Sequence, residues 1–147
     1  MSGRAVRKTR ADFAVFVPLT TRWGDNDVYG HINNAIYFQL FDTAVNQLLV
    51  QGGVLDVKQS DIVGLVVENR CSFFASLAFP DALEAGVAVE RIGTSSVRYR
   101  LGLFLAGARH VAAQGEFTHV YVERATQTPV PVPEAVRALL AGLTLHE

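Results

Sequence analysis

The chain has 147 residues, a formal net charge of −1 and an apolar half, with only 18% of residues charged. That length suits one hydrophobic core in one domain. The near-neutral balance offers no global field to gather nucleic acid or an acidic membrane surface, and so apolar a chain is expected to bury surface against another subunit, as a homodimer or homotetramer.

Taken from the N-terminus, the basic residues are scattered except for Arg4, Arg7, Lys8 and Arg10. Residues 1–11 are expected to be a disordered, solvated tail, and residues 12–147 a single domain. No apolar run follows this cluster as a signal-peptide core, and none approaches the roughly 20 residues needed to span a bilayer, so a cytoplasmic protein with no membrane partner is expected. The segment 13–21, FAVFVPLTT, alternates and is rich in β-branched and aromatic residues. It reads as a strand, and Pro18 assigns it to a sheet edge or bulge.

From Asn33 to Val50 the period changes. Proline and glycine are absent, and Gln39, Asp42, Thr43, Asn46 and Gln47 recur at helical spacing. The apolar positions between them cover most of the circumference, so this helix is expected to be wrapped on more than one side. Gly52 and Gly53 end it, where a left-handed residue is needed. Four strands follow, at 62–75, 83–92, 95–105 and 110–123, with hairpin joints at Gly93-Thr94 and Ala106-Gly107-Ala108. On the third of these, Val97, Tyr99, Leu101, Leu103 and Leu105 are assigned to one face and Arg98, Arg100 and Gly102 to the other. A proline-rich stretch, 129–133, leads into a short helix at 134–141. One strand, one long apolar helix and four strands make an α+β order in which a curved antiparallel sheet wraps the helix. Pairing exposed edges across a two-fold axis would protect them. Cys71, the single cysteine, can form no internal disulfide and reads as a small buried side chain. No metal site is expected.

The run RWGDNDVYGHINNAIYF, beginning at Arg22, crowds two carboxylates, a histidine and two asparagines before the helix. Asn33 or Asn34 can serve as an N-cap, accepting from a backbone N–H of the first turn. Capping does not account for Asp27 and His31 flanking Gly30, or for Trp23 and Tyr29. The remaining N–H groups of a helix start suit an oxyanion that develops in acyl transfer. A carboxylate on the preceding loop can serve such a site as general base or nucleophile, and Asp27 is so placed. Asp25 reads as shaping the turn, and Asp42 as a solvated or subunit-facing residue.

This run resembles the signature of the hotdog-fold acyl-CoA thioesterases of the 4-hydroxybenzoyl-CoA thioesterase type, with a D-x-D-x-x-G loop leading into the central helix. PDALEAGVAVERIGTSSVRYRLGLF resembles the family's later hairpin region, so the likeness spans roughly residues 13–123. The resemblance implies a hotdog fold dimerised through its sheet edge, with Asp27 as the catalytic carboxylate and the backbone N–H of Asn34 polarising the thioester carbonyl. His31 and Asn34 stand where the 4-hydroxybenzoyl-CoA enzymes tend to have apolar and aromatic residues. The G-H-I-N-N version is similar instead to fatty acyl thioesterases, which makes His31 a candidate assistant; Tyr29 stands where the plant acyl-ACP enzymes have asparagine.

The implied activity is hydrolysis of an acyl-CoA thioester, with coenzyme A part of the substrate and no cofactor. Tyr37 is a candidate lining residue for the acyl group. Arg91, Thr94, Ser95 and Ser96, on a hairpin offering hydroxyls, N–H groups and a guanidinium, are candidates for the coenzyme phosphates. Two other readings remain open: a hotdog hydratase or dehydratase acting on acyl thioesters, and a non-catalytic acyl-CoA-binding dimer.

Overall fold

The structure, a computed structural model, describes residues 5–145; Arg4 lies outside them. Alternating β-branched and aromatic residues give five strands, β1 (Val15–Thr20), β2 (Ile62–Phe73), β3 (Ala82–Ile92), β4 (Ser96–Leu105) and β5 (Ala113–Glu123). They form one antiparallel sheet in the order β1-β3-β4-β5-β2. Pro18 lies on β1, an edge strand, as its missing N–H requires. The other edge is β2, twice as long at 12 residues.

The glycine-free segment folds as α1 (Asn34–Gln51). Its buried residues Tyr37, Leu40, Phe41, Ala44, Val45 and Leu49 pack on the inner face of the sheet against Val87, Val97, Leu101 and Phe117. Burial of each large apolar side chain contributes about 2 kcal/mol, which is why the sheet curves around this helix. Gln39, Asp42 and Thr43 stay exposed on the expected polar stripe. Gly52 ends the helix in a right-handed conformation and Gly53, at φ +74°, takes the left-handed one. A second helix, α2 (Glu134–Ala141), closes the far end: Leu139 lies against Gly52, and Val136 and Leu140 enter the core.

One expectation is corrected on the outer face of the sheet. Residues 5–11 are not a free tail as far as they are described. The Arg7 Nε donates to the Val111 carbonyl, and the Lys8 N–H donates to Gln114 Oε1. Thr9 bridges His110. Arg10 pairs with Glu84 at 2.6 Å and lies over the Phe16 and Phe104 rings. The outer face of β4 is partly apolar. Gly102 and Phe104 are buried there in a small cluster with Phe13 and Val111, while Leu105 is exposed. Phe13 lies so close to the sheet that a Cβ on Gly86 or Gly102 would come within 2.7 or 2.5 Å of its ring. These mid-strand glycines therefore admit the aromatic ring.

On the inner face, Tyr99, His119 and Tyr121 are buried side by side, and His119 stacks on Phe117 at 4.8 Å. Its Nδ1 has no hydrogen-bond partner, and a Cβ on Gly64 would stand 2.8 Å from it. Burial lowers the His119 pKa from 6.5 to about 4, because the charged imidazole would lose its hydration. A depressed histidine pKa means that the unfolded chain binds a proton that the folded chain excludes. Stability should therefore fall as pH drops from 6.5 through about 4. The full loss is about 3 kcal/mol. Denaturant titration at several pH values should show this decline in the natural protein and a smaller one, by that amount, in His119→Phe.

Candidate active site

The loop between β1 and α1 is organised by its two aspartates in different ways. Asp25 is 1% exposed. Its carboxylate accepts from the Arg22 N–H at 2.7 Å and from the guanidinium at 2.8 and 3.0 Å, while its carbonyl accepts from the Asn33 N–H at 2.9 Å. It is a latch that ties the loop's beginning to the start of the helix.

Asp27 is half-buried and sits in the turn itself. Its Oδ1 accepts from the Tyr29 N–H at 2.9 Å and its carbonyl from the Gly30 N–H at 3.0 Å, and its own N–H donates to the His31 carbonyl. Gly30 completes the turn at φ +82°, a conformation that a side chain would strain. The loop is held from below by Ile32 N–H donating to the Leu77 carbonyl and Phe79 N–H donating to Asn26 Oδ1.

The helix start resolves which asparagine caps. Asn33 is the cap: its side-chain oxygen accepts from the Ala35 N–H at 3.0 Å and its carbonyl from the Ile36 N–H at 2.9 Å. Among the described residues the Asn34 N–H, one position earlier, has no acceptor. Asn34, with His31, Ile32 and Tyr37 and with residues 73–76, lines a cavity of about 310 Å³. Tyr37 is buried, with its ring edge-on to Phe73 at 4.9 Å; burial raises its pKa, partly offset by a hydrogen bond with the Leu77 backbone.

His31, Asn34 and Tyr37 are thus brought together. Asp27 stands on the same loop but is not among the residues that line the cavity. The other predicted set lies elsewhere. The hairpin after Arg91 is at the far end of β3, which begins beside Thr20 and the helix start, so within one chain about 30 Å of strand separates the two. There the Thr94 carbonyl accepts from the Val132 N–H, the Ser95 carbonyl from the Tyr121 N–H, and the Gly93 carbonyl from Arg137. Arg91 opposes Arg98 across the hairpin. Burial pushes the Cys71 thiol up to about 12, which fits an inert side chain. Among the described residues, no three His, Cys, Asp or Glu side chains are grouped to hold a metal ion.

The site's far wall, Phe73 to Ser76, has no sequence signal, because only the fold brings the end of β2 beside the helix start.

Residues 21–140 match the family model of the thioesterase-like superfamily. The crystal structure of PA5185 from Pseudomonas aeruginosa PAO1 is 47% identical over 95% of this chain and 97% of that one, with a TM-score of 0.92. Two more distant structures share the fold. Slr0204 from Synechocystis, a 1,4-dihydroxy-2-naphthoyl-CoA thioesterase, is 15% identical over 86% of this chain and 94% of its own, with a TM-score of 0.77. BH1999, a gentisyl-coenzyme A thioesterase, is 22% identical over 86% and 99%, with a TM-score of 0.76. No curated protein matches the chain. Fold and family together define a thioester hydrolase built on a hotdog fold; the chain belongs to the thioesterase-like superfamily.

Because Asp25 is buried and its partner Arg22 is exposed, removing Arg22 strands a carboxylate with one N–H donor. Arg22→Ala should cost about 2 kcal/mol of stability in denaturant unfolding, with Arg22→Lys restoring only part of it.

Proposed function

We propose that the chain hydrolyses acyl-CoA thioesters to the free acid and coenzyme A at the start of α1. The observation that carries this reading is an unpaired first-turn N–H on Asn34, a residue that lines a cavity, since such a group can donate to the carbonyl oxygen of a thioester as negative charge builds on it. Asp27 supplies the carboxylate, either deprotonating the attacking water or attacking the carbonyl itself. The thiol leaving group has a pKa near that of cysteine, about 8.5, so its expulsion needs little acid assistance. One carboxylate and one oxyanion donor suffice. His31 borders the cavity and assists by hydrogen bonding, and the Tyr37 ring lines the path of the acyl group.

The enzyme acts as a homodimer in this reading. β2 is a long edge strand with exposed Leu65, Val66 and Val67, a row that pairs readily with a second copy. Antiparallel pairing of β2 with itself sets Phe73 of one chain beside the start of β2 in the other. The partner's Arg91, Thr94, Ser95 and Ser96 then lie at the same end of the dimer as the Asn34 cavity, on the side where the coenzyme phosphates emerge.

Two substitutions test the assignment. Asn34→Pro deletes the proposed oxyanion donor at a helix position that tolerates proline, and Asn33, at φ −58° and ψ 138°, already has the extended backbone a following proline demands. It should lower kcat by about 10²–10³-fold. Asp27→Asn should lower it by about 10²–10⁴-fold. Both are read by free-thiol release from a panel of acyl-CoAs, with unfolding midpoints close to that of the natural protein. Near-normal turnover in either variant removes that residue from the mechanism. Single turnover in oxygen-18 water labels Asp27 only if it is the nucleophile.

A further inference from the structure

The turn that carries Asp27 stands clear of the rest of the chain. Val28 and Tyr29 are 94% and 82% exposed, and a Cβ on Gly30 would meet nothing within 4 Å. Among the described residues, every hydrogen bond of residues 27–31 falls inside the turn, between Asp27 and Tyr29, Gly30 or His31. Such bonds shape the turn but do not aim it. Its direction is set where it is planted, at Asn26 and Ile32, which face each other as an isolated antiparallel bridge.

Both of those residues rest on one segment, 74–81, which joins β2 to β3. The Ile32 N–H donates to the Leu77 carbonyl at 2.8 Å, and the Phe79 N–H donates to Asn26 Oδ1 at 2.9 Å. The segment is itself fixed, since Leu77 is buried in the core and the Phe74 and Ala75 N–H groups donate to the Ala112 carbonyl. It also supplies Ala75 and Ser76 to the wall of the Asn34 cavity. The two bonds differ in kind. The one at Ile32 joins backbone to backbone and survives any substitution that keeps the fold, whereas the one at Asn26 depends on a side chain. The Asn26 amide nitrogen has no partner among the described residues, so acceptance from Phe79 is what this side chain does there.

We propose that Asn26 is a positioning residue, whose bond to the segment forming the cavity wall holds the Asp27 carboxylate in place relative to the Asn34 N–H and a bound thioester. The inference rests on the thioesterase reading above. The task differs from that of the neighbouring Asp25, which joins the two arms of the loop to each other through the Asn33 N–H. Without Oδ1 the turn is loosened at Asn26 and pivots about Ile32, carrying Asp27 with it. Reacting groups need placement to within about 0.5 Å, so a small pivot is enough to slow the reaction.

The test is a double-mutant cycle of Asn26→Ala with Asp27→Asn, read by thiol release from a panel of acyl-CoAs. Asn26→Ala should lower kcat about tenfold and leave KM little changed, because binding is kept and alignment is lost. In the Asp27→Asn background the same substitution should change the residual rate little, since the group it positions is gone. Asn26→Asp keeps the acceptor and should restore most of kcat at about pH 8, where carboxylates are ionised. Thr21→Val is the control: it removes another bond to the same segment, from Thr21 Oγ1 to the Asp81 carbonyl at 2.9 Å, but outside the turn, and should leave kcat close to natural. Asn26→Ser, whose hydroxyl is one bond short of Oδ1, replaces Asn26→Ala should that variant not fold. Undiminished kcat in Asn26→Ala, equal losses with and without Asp27, or an equal loss in Thr21→Val would overturn the inference and leave thioester hydrolysis standing. If the residual rate of Asp27→Asn is too low to measure, the comparison with Thr21→Val and Asn26→Asp decides. No thiol release by the natural protein refutes the hydrolase reading, and this inference with it.

Discussion

The sheet's hold on α1 is the constraint from which the rest of the molecule follows. A helix with six buried apolar positions on its sheet-facing sides can lie in only one orientation without exposing them, and the inner faces of β3, β4 and β5 supply the matching apolar surface. Fixing the helix fixes its ends. The start falls at the rim of the sheet, where the chain arriving from β1 must turn sharply, and the first-turn N–H groups must find partners there. Asn33 satisfies those of Ala35 and Ile36, and the shortfall left at Asn34 is where the chemistry is assigned. A helix packed less firmly would leave that donor free to move, and electrostatic stabilisation of a transition state depends on a dipole that is already aimed.

The same packing ties the site to the sheet's exposed edge. Phe73 meets Tyr37 at the end of β2, so part of the cavity wall and the open sheet edge belong to one element. The N-terminal segment braces this wall from outside: Arg7 lies over the Phe74 ring and bonds Val111, while the Phe74 and Ala75 N–H groups both donate to the Ala112 carbonyl. Residues read as a solvated tail thereby support the region that lines the site.

The architecture was legible because it is written in local signals. The helix announces itself by an uninterrupted 3.6-residue period between Asn33 and Gly52, and the edge position of β1 by Pro18. The loop before the helix was legible from its composition, and the resemblance it carries agrees with the family shown. What could not be read depends on tertiary proximity. Arg7 and Arg10 look like solvated charges in isolation, and nothing local says that Val111, Glu84 and two phenylalanine rings await them. Gly86 and Gly102 were the available clue, since a glycine in mid-strand marks close approach by another group. Likewise the hairpin at 93–95 reads in the sequence as a candidate for phosphates, but its place at the opposite end of β3 from the helix start follows only from the antiparallel register.

The pair of acids in the loop shows how environment divides roles that composition leaves equal. Asp25 and Asp27 are two residues apart, and either could have been the reactive one. Asp25 is buried with three donors from Arg22 directed at it, so its lone pairs are committed and its charge is balanced. A carboxylate in that condition is occupied in holding the loop together. Asp27 keeps one oxygen in the turn, on the Tyr29 N–H, and no other donor binds its carboxylate among the described residues. Its second oxygen is therefore available to water or to a carbonyl carbon. The latch leaves Asp27, the carboxylate proposed to react, uncommitted: with Asp25 fixing the loop to Asn33, Asp27 need not be consumed in holding it. The two acids thus sit in different states, one fully bonded and the other left partly free.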